Sequence, residues 1–237
     1  MKYFTISNFI ILLITYFSYI TYESELQNYD TNLDVDGFLY FDKHLSKNEL
    51  LQHLPKKYVF LNYKYEIKGK TLSTFHRDVT SSQYIFNTKY PIYTYITYYN
   101  PGKVLSLCPG SHKQTPYLFN RPKILNSESN HSSVLFNCDV VHAGYLNYYP
   151  DYNRHAIQYK LVHYYDLLKL THLYNIHKTT NTSFESYNYY YELTLRKLSL
   201  FFSYIVNHVF TKYLQNNQNN SLSNIIMYLT NKDFYNK

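Results

Sequence analysis

Two short motifs contain residues that can bind a metal. His76 and Asp78 are separated by one residue, and His142 follows much later in the chain. In an extended strand, residues two apart point to the same face, so His76 and Asp78 can present an imidazole and a carboxylate to one point. Two histidines and one carboxylate on one side of a metal leave its other coordination positions open, as in non-haem Fe(II) oxygenases. The same three side chains also suit a zinc hydrolase.

An arginine follows the second histidine. Arg154 comes after His142 within a run of residues typical of a strand. Its planar guanidinium can hold a carboxylate through two parallel hydrogen bonds, whereas a lysine would act as a point charge. This is the geometry needed to bind the distal carboxylate of 2-oxoglutarate. A zinc hydrolase would leave Arg154 without a function, so the combination favours iron.

The elements that must position these residues are mainly β-strands. Between residues 58 and 165 the chain consists of short β-branched and aromatic runs separated by Pro, Gly and Asn, which predicts an antiparallel β domain. Ser46 and Glu49 form a capping-box pattern that predicts a helix closed by Pro55. After Asp166 the leucine spacing predicts helices, with a short last one at residues 225–229. The predicted strands are Asp36–Phe41, Tyr58–Tyr65, Ile92–Tyr99, Val104–Leu107, Ser133–Phe136 and Ala156–Tyr164.

Composition excludes several classes of protein. The 237 residues contain 45% hydrophobic and 20% aromatic residues, which excludes a disordered chain. The formal net charge is +7, but the lysines are scattered along the chain, so we do not expect nucleic-acid binding. Two cysteines are too few for a disulfide-stapled scaffold. Cys108 and Cys138 either pair or are buried as small apolar residues, and we favour burial.

The first 22 residues form a separate segment. Residues 4–22 are mostly apolar, with Lys2 before them and Glu23 after them. This pattern suits a signal anchor, a cleaved signal peptide or an apolar helix packed on the domain. A signal anchor would hold the chain in a membrane, and either a signal anchor or a cleaved signal peptide would direct the main domain to the endomembrane lumen. A packed helix is compatible with the cytoplasm.

The order of the motifs resembles the phytanoyl-CoA dioxygenase family of Fe(II)/2-oxoglutarate oxygenases. The resemblance covers about half of the chain, from Asp36 to Val162. Five ordered elements make it more specific than a lone H-x-D would be. They are Asp36-Gly37-Phe38, His76-Arg77-Asp78, Pro109-Gly110-Ser111-His112, the segment from Asp139 to Gly144, and Arg154.

The resemblance implies a fold, a site and a reaction. The fold is a mainly β, double-stranded β-helix (a cupin-like jelly roll) with flanking helices and a C-terminal helical region. The iron ligands are His76, Asp78 and His142, and Arg154 anchors 2-oxoglutarate. The segment from Gly110 to His112 forms a turn that shapes the mouth of the pocket. The cofactors are Fe(II), 2-oxoglutarate and O2, with ascorbate as a further candidate.

The implied reaction is hydroxylation of a small-molecule, lipid or acyl substrate with release of succinate and CO2. Family members that halogenate have a small residue at the carboxylate position, so Asp78 favours hydroxylation. The alternative is a jelly-roll module that binds metal or ligand without turnover and acts as a membrane-anchored interaction module. We expect three regions: an N-terminal segment 1–22, an oxygenase domain 33–166 and a helical extension 167–237.

Overall fold

Two β-sheets packed face to face form the body of the chain. The computed structural model describes residues 6–69, 73–113, 121–148, 154–182 and 188–216, so the helix expected at 225–229 lies outside the described residues. The strands are β1 Ser24–Glu25, β2 Phe38–Phe41, β3 Tyr58–Phe60, β4 Tyr63–Gly69, β5 Tyr93–Tyr98, β6 Gly102–Leu107, β7 Lys123–Ser127, β8 Ser133–Asn137, β9 His142–Gly144, β10 His155–His163 and β11 Ile176–Thr182. The α-helices are α1 Ile6–Ile20, α2 Lys47–Gln52, α3 Gln83–Phe86 and α4 Tyr189–Asn216, and 3-10 helices span Val79–Ser81 and Tyr164–Leu173.

The two sheets differ in size. The larger has the order β11-β4-β10-β5-β8-β2, with β3 pairing with the end of β10, and the smaller has the order β1-β7-β6-β9. Strands that are distant in sequence lie side by side, and most pairs are antiparallel. The predicted fold class is therefore confirmed: the protein is a mainly β jelly roll with flanking helices.

The register of the larger sheet determines which residues face the interior. In antiparallel neighbours, paired residues project to the same face, and the projection alternates along each strand. The inward face packs against Val104, Leu105 and Leu125 of the smaller sheet. The inward-facing residues of the larger sheet include Phe38, Thr94, Ile96, Tyr98, Val134, Phe136, Ala156, Gln158 and Lys160.

The outward face of the larger sheet is covered by α2. Ser46 caps this helix, because its side chain accepts a hydrogen bond from the Glu49 amide while the Glu49 carboxylate accepts one from the Ser46 amide. Leu50 and Leu54 then pack with Tyr93, Tyr95 and other outward residues of the sheet. The predicted capping box is confirmed.

Helix α1 contacts the domain through its C-terminal end. Ile20 is fully buried in a cluster with Phe75 and Leu200, and the Phe17 and Phe201 rings lie 5.4 Å apart. The apolar side chains from Ile6 to Ile14 are instead 45–80% exposed. A membrane anchor is one of the expectations for this segment. Among the described residues, no helix has both the length and the apolar character needed to cross a membrane.

The region after residue 166 contributes to the same sheet. β11 was not predicted, and it pairs in parallel with β4 from Ile176 opposite Tyr63 to Thr182 opposite Gly69. Helix α4 was predicted, and its buried Leu200 joins the α1 cluster. The division between an oxygenase domain 33–166 and an extension 167–237 stays a prediction, although the strand pairing crosses it.

The two cysteines are buried and are not joined in a disulfide. Cys108 packs in the cluster that contains Ile20, whereas Cys138 packs in a different one with Ile92 and Val162. Their assignment as small apolar core residues agrees with these positions.

Candidate metal centre

A backbone bridge brings the two histidines of the predicted triad together. The His76 amide donates to the His142 carbonyl at 2.9 Å, and the His142 amide donates back to the His76 carbonyl at 2.9 Å. Residues paired in this way project their side chains to the same face. The ring centroids accordingly lie 4.5 Å apart.

Each histidine ring is oriented by a carbonyl two residues earlier. Nδ1 of His76 lies 2.9 Å from the Thr74 carbonyl oxygen, and Nδ1 of His142 lies 2.9 Å from the Val140 carbonyl oxygen. Because a carbonyl can only accept, Nδ1 must carry the proton in both rings. Nε2 is then left with a lone pair in each neutral imidazole. A histidine held this way presents the nitrogen that binds metals, supported by the usual outer hydrogen bond.

Asp78 completes the group. Its Oδ1 lies 3.9 Å from Nε2 of His76 and 3.6 Å from Nε2 of His142. One ligand atom from each residue lies within 4.8 Å of the other two. The donor set of two neutral nitrogens and one carboxylate oxygen fits a divalent metal. The triad proposed from sequence is thus assembled at one point.

The second oxygen of Asp78 is bound by a lysine. Lys160 Nζ lies 2.6 Å from Asp78 Oδ2, and the Thr94 hydroxyl donates to the same oxygen at 2.8 Å. The Lys160 side chain is only 2% exposed. Asp78 therefore offers Oδ1 to the metal position while Oδ2 is held by protein groups.

The charge states suit metal binding at neutral pH. Burial alone would raise the pKa of Asp78, but Lys160 and the two neighbouring histidines outweigh it and hold the pKa well below its usual range. Burial lowers the pKa of His142 to about 4, with a further contribution from His76. Asp78 is therefore ionised and His142 is neutral at pH 7, which are the forms that bind metals.

Asp139 supports the site without joining it. Its carboxylate accepts hydrogen bonds from the Ser82 hydroxyl at 2.5 Å and from the Gln83 amide at 2.9 Å, at the start of α3. The carboxylate is 2% exposed and lies 3.9 Å from the Arg77 guanidinium. The aspartate of the D-x-x-H motif therefore ties α3 to the segment that leads into His142.

The predicted Pro-Gly-Ser-His turn braces the same segment. The buried Ser111 hydroxyl accepts a hydrogen bond from the Val141 amide at 2.8 Å, and Gly37 lies against His112. Gly37 has φ +87°, and a Cβ there would come within 2.5 Å of His112 Nδ1 and of Val140. Only glycine fits this position, which gives the Asp-Gly-Phe motif a physical reason.

Arg154 lies directly before β10 and borders a cavity. Its Nη1 donates to the Tyr145 carbonyl at 2.8 Å. The cavity has a volume of about 420 Å³ and is also lined by Tyr98, Lys103 and Tyr148. Arg154 and Lys160 are six positions apart, and residues an even number of positions apart in a strand share a face, so both project to the inward face of the larger sheet. Its role as an anchor for 2-oxoglutarate stays a prediction.

The comparisons with known proteins found solved structures that are similar to this chain. No family model matches the chain, and no curated protein matches it. The iron and alpha-ketoglutarate-dependent endoperoxidase NvfI has a TM-score of 0.44 at 8% identity, covering 60% of this chain and 83% of that chain. The non-heme alpha ketoglutarate-dependent epimerase SnoN from nogalamycin biosynthesis has a TM-score of 0.39 at 11% identity, covering 55% and 79%. The carbocyclase SnoK from the same biosynthesis has a TM-score of 0.37 at 13% identity, covering 54% and 80%.

Two residues at the site were not predicted from the sequence. Lys160 and Thr94 contact Asp78, but neither belongs to a motif. The available signal was a lysine within the strand-like run of β10, directly before the apolar Leu161 and Val162. A lysine in such a run is normally outward-facing, and only the strand register shows that this one faces the interior.

Proposed function

We propose that the protein is an Fe(II)- and 2-oxoglutarate-dependent oxygenase that hydroxylates a small-molecule, lipid or acyl substrate. The observation that carries the proposal is the convergence of Nε2 of His76, Nε2 of His142 and Oδ1 of Asp78, with each Nδ1 proton engaged by a carbonyl. The motif order supports membership of the phytanoyl-CoA dioxygenase family. Three protein ligands leave the remaining metal positions for co-substrate and O2.

The bound iron and 2-oxoglutarate would supply the oxidising chemistry: O2 and 2-oxoglutarate yield succinate and CO2 as a substrate C–H becomes C–OH. The chain's own residues hold and shield the reactants. Asp78 supplies one negative charge through Oδ1, and Arg154 binds the distal carboxylate of 2-oxoglutarate. His142 is 5% exposed and His76 is 32% exposed at the side chain, so substrate approaches from the side of His76.

Anaerobic titration tests this proposal. Adding Fe(II) and 2-oxoglutarate to the metal-free protein should produce a metal-to-ligand charge-transfer absorption band in the visible range, because the co-substrate chelates the iron. Asp78→Ala should weaken Fe(II) binding in this titration, because one of the three protein ligands is lost. Asp42→Ala, which removes an exposed carboxylate, serves as the matched control and should leave it unchanged.

The result also separates the proposal from its alternatives. Folded protein that binds Fe(II) but gives no band with 2-oxoglutarate would contradict the oxygenase and favour the non-catalytic metal-binding module. An unchanged Fe(II) affinity in Asp78→Ala would contradict the ligand assignment. If the band forms, succinate release in the presence of candidate acyl, lipid and small-molecule substrates identifies the substrate class.

A further inference from the structure

The segments that carry the two histidine ligands are backed by the terminal helices α1 and α4. Neighbouring residues of an extended segment point to opposite faces, so Phe75, which precedes His76, and the two residues that flank His142 point away from the metal position. They pack in one buried cluster with a residue from each terminal helix. The buried members of this cluster are Ile20 of α1, Phe75, Cys108, Val141, Ala143 and Leu200 of α4.

Arg196 of α4 is buried in the same layer, and its whole guanidinium is hydrogen-bonded. The residue is 1% exposed. Nε and Nη2 donate to the two carboxylate oxygens of Glu23 at 2.6 and 2.7 Å, and Nη2 also donates to the Ser106 hydroxyl at 2.8 Å. Nη1 donates to the Ser73 carbonyl at 2.6 Å and to the Gly144 carbonyl at 2.8 Å. Each of the five N–H groups of an arginine therefore has an acceptor here.

Two of these acceptors belong to the segments that carry the histidine ligands. Ser73 lies three positions before His76, and Gly144 lies two positions after His142. A guanidinium is planar and rigid, so the directions of its N–H groups are fixed relative to one another. Because one nitrogen, Nη1, binds both carbonyls, the guanidinium of Arg196 fixes the separation of the two segments.

One face of α4 makes further contacts with the segment from Ser73 to Phe75. Glu192, Arg196 and Ser199 are spaced by four and three positions, so their side chains share a face of the helix. The Ser73 hydroxyl donates to the Glu192 carboxylate at 2.6 Å, and the Phe75 amide donates to the Ser199 hydroxyl at 2.9 Å. The Arg196 guanidinium also lies 4.5 Å from the centroid of the Phe75 ring. Helix α4 therefore holds this segment through both its backbone and its side chains.

We propose that Arg196, oriented by Glu23, is a positioning residue that sets the separation of His76 and His142 for metal binding. The inference rests on the proposed function. Arg196 contacts the backbone of the two ligand segments and acts on the ligands through it. Metal–ligand distances must be met within about 0.2 Å, so a displacement of either segment weakens metal binding. Regions of the chain outside the ordered motifs, before Asp36 and after Arg154, therefore complete the metal centre.

The affinity for Fe(II) alone, measured by anaerobic titration calorimetry, tests this inference. Arg196→Lys keeps a positive charge beside Glu23 but lacks the planar fork that reaches the Ser73 and Gly144 carbonyls. We expect the Kd for Fe(II) to rise about tenfold, as when other groups that orient metal ligands are removed. Lys197 is the next residue of α4 and is exposed, so Lys197→Gln is the matched control and should keep the wild-type Kd.

A second control separates positioning from a general loss of stability. Leu50 of α2 is fully buried on the outward face of the larger sheet, in a different cluster from Leu200. Leu50→Ala should lower the Tm of the metal-free protein, because it leaves a cavity, and it should keep the wild-type Kd for Fe(II). Arg196→Lys should lower the Tm and raise the Kd together.

Hydrogen exchange of the wild-type protein tests the same coupling without a substitution at Arg196. If the docking of α4 strengthens metal binding, bound metal must stabilise the docking of α4 by the same factor. We expect amide exchange in residues 23–25 and 192–200 to slow about tenfold on addition of saturating Fe(II). The effect should be smaller in Asp78→Ala at the same Fe(II) concentration. This measurement decides the question if Arg196→Lys fails to fold.

The outcomes distinguish this inference from the proposed function. If the wild-type protein does not bind Fe(II), the proposed function fails and the inference fails with it. If the wild type binds Fe(II) but Arg196→Lys keeps the wild-type Kd, or exchange in α4 does not change with metal, the inference alone is overturned. An equal rise in Kd for Leu50→Ala and Arg196→Lys would assign the effect to lost stability and would also overturn it.

Discussion

The ammonium group of Lys160 lies 2.6 Å from Oδ2 of Asp78, whereas Oδ1 of the same carboxylate lies 3.9 Å and 3.6 Å from Nε2 of His76 and His142. The same ammonium donates to the Ser81 hydroxyl at 2.9 Å and to the Thr94 hydroxyl at 2.8 Å. Its three N–H groups therefore have three oxygen acceptors. The two oxygens of Asp78 have different partners, one held by the protein and one directed to the candidate metal position.

Removing the lysine should destabilise the metal-free protein. We expect Lys160→Met to lower the free energy of unfolding by about 3–5 kcal/mol, because Asp78 becomes a buried charge without a cation. Urea unfolding monitored by circular dichroism measures this change.

The double variant Lys160→Met/Asp78→Asn provides the control. Neutralising both partners removes the unpaired charge, so most of the lost stability should return. If the double variant is as unstable as Lys160→Met, the packing of the lysine stem, and not its charge, would account for the loss.

Acid should destabilise the metal-free protein through His142. Its pKa is lowered from 6.5 to about 4 by burial, so the unfolded chain binds a proton that the folded chain does not between these values. The stability contribution is full above pH 6.5 and is lost as the pH falls toward 4, with a slope of at most about 1.4 kcal/mol per pH unit. Urea unfolding across this range should give a shallower dependence in His142→Gln. An equal slope in both proteins would contradict the assignment.

A second buried cation connects the two ends of the described chain. Arg196 of α4 donates to both carboxylate oxygens of Glu23, at 2.6 and 2.7 Å, and to the carbonyls of Ser73 and Gly144. We expect Arg196→Met to lower the free energy of unfolding by about 3 kcal/mol or more, because several buried acceptors lose their donor together. Arg196→Lys should restore only part of this, since an ammonium lacks the planar fork.

The free energy of unfolding measures the effect of the Arg196 variants. A variant of an exposed ion pair provides the matched control. Lys43 lies 3.0 Å from Glu49 with side chains 67% and 46% exposed, and Lys43→Met should leave stability unchanged. Equal effects at Arg196 and Lys43 would show that burial of the arginine is unimportant.

The two thiols should be inert in the folded protein. Burial raises the pKa of Cys138 to about 11, and Cys108 is also fully buried. A thiol-specific reagent such as DTNB should label neither cysteine in native conditions and both in urea. Only one labelled thiol in urea, or none, would indicate that the cysteines had been modified or paired.

The local features of the fold were predictable because their signals are local. Ser46 and Glu49 are three residues apart, and that spacing alone predicts the start of α2. The triad was predictable because two ligands share one short motif and the third occurs in a motif of its own. Only a few residue types can bind a metal, and this limits which positions of the sequence can supply the ligands.

The long-range features were not predictable, because they depend on partners that are distant in the sequence. β11 has the sequence IHKTTNT, which lacks the apolar alternation of a strand, and its parallel pairing with β4 depends on a partner far upstream. Lys160 depends on the register of β10 against β5, which places it opposite Thr94. A shift of one residue would turn the same lysine to the outer face. Sequence patterns of one strand do not contain this information.

The even spacing of inward residues along β10 also restricts how this strand can change in evolution. Arg154, Gln158 and Lys160 face the interior together only because the spacings between them are even, four positions and then two. Substitutions at the outward positions leave this alignment intact. An insertion or deletion of a single residue would reverse the direction of every side chain on one side of it. Relatives that retain this chemistry should therefore vary β10 in composition while keeping its length between Arg154 and Lys160 constant.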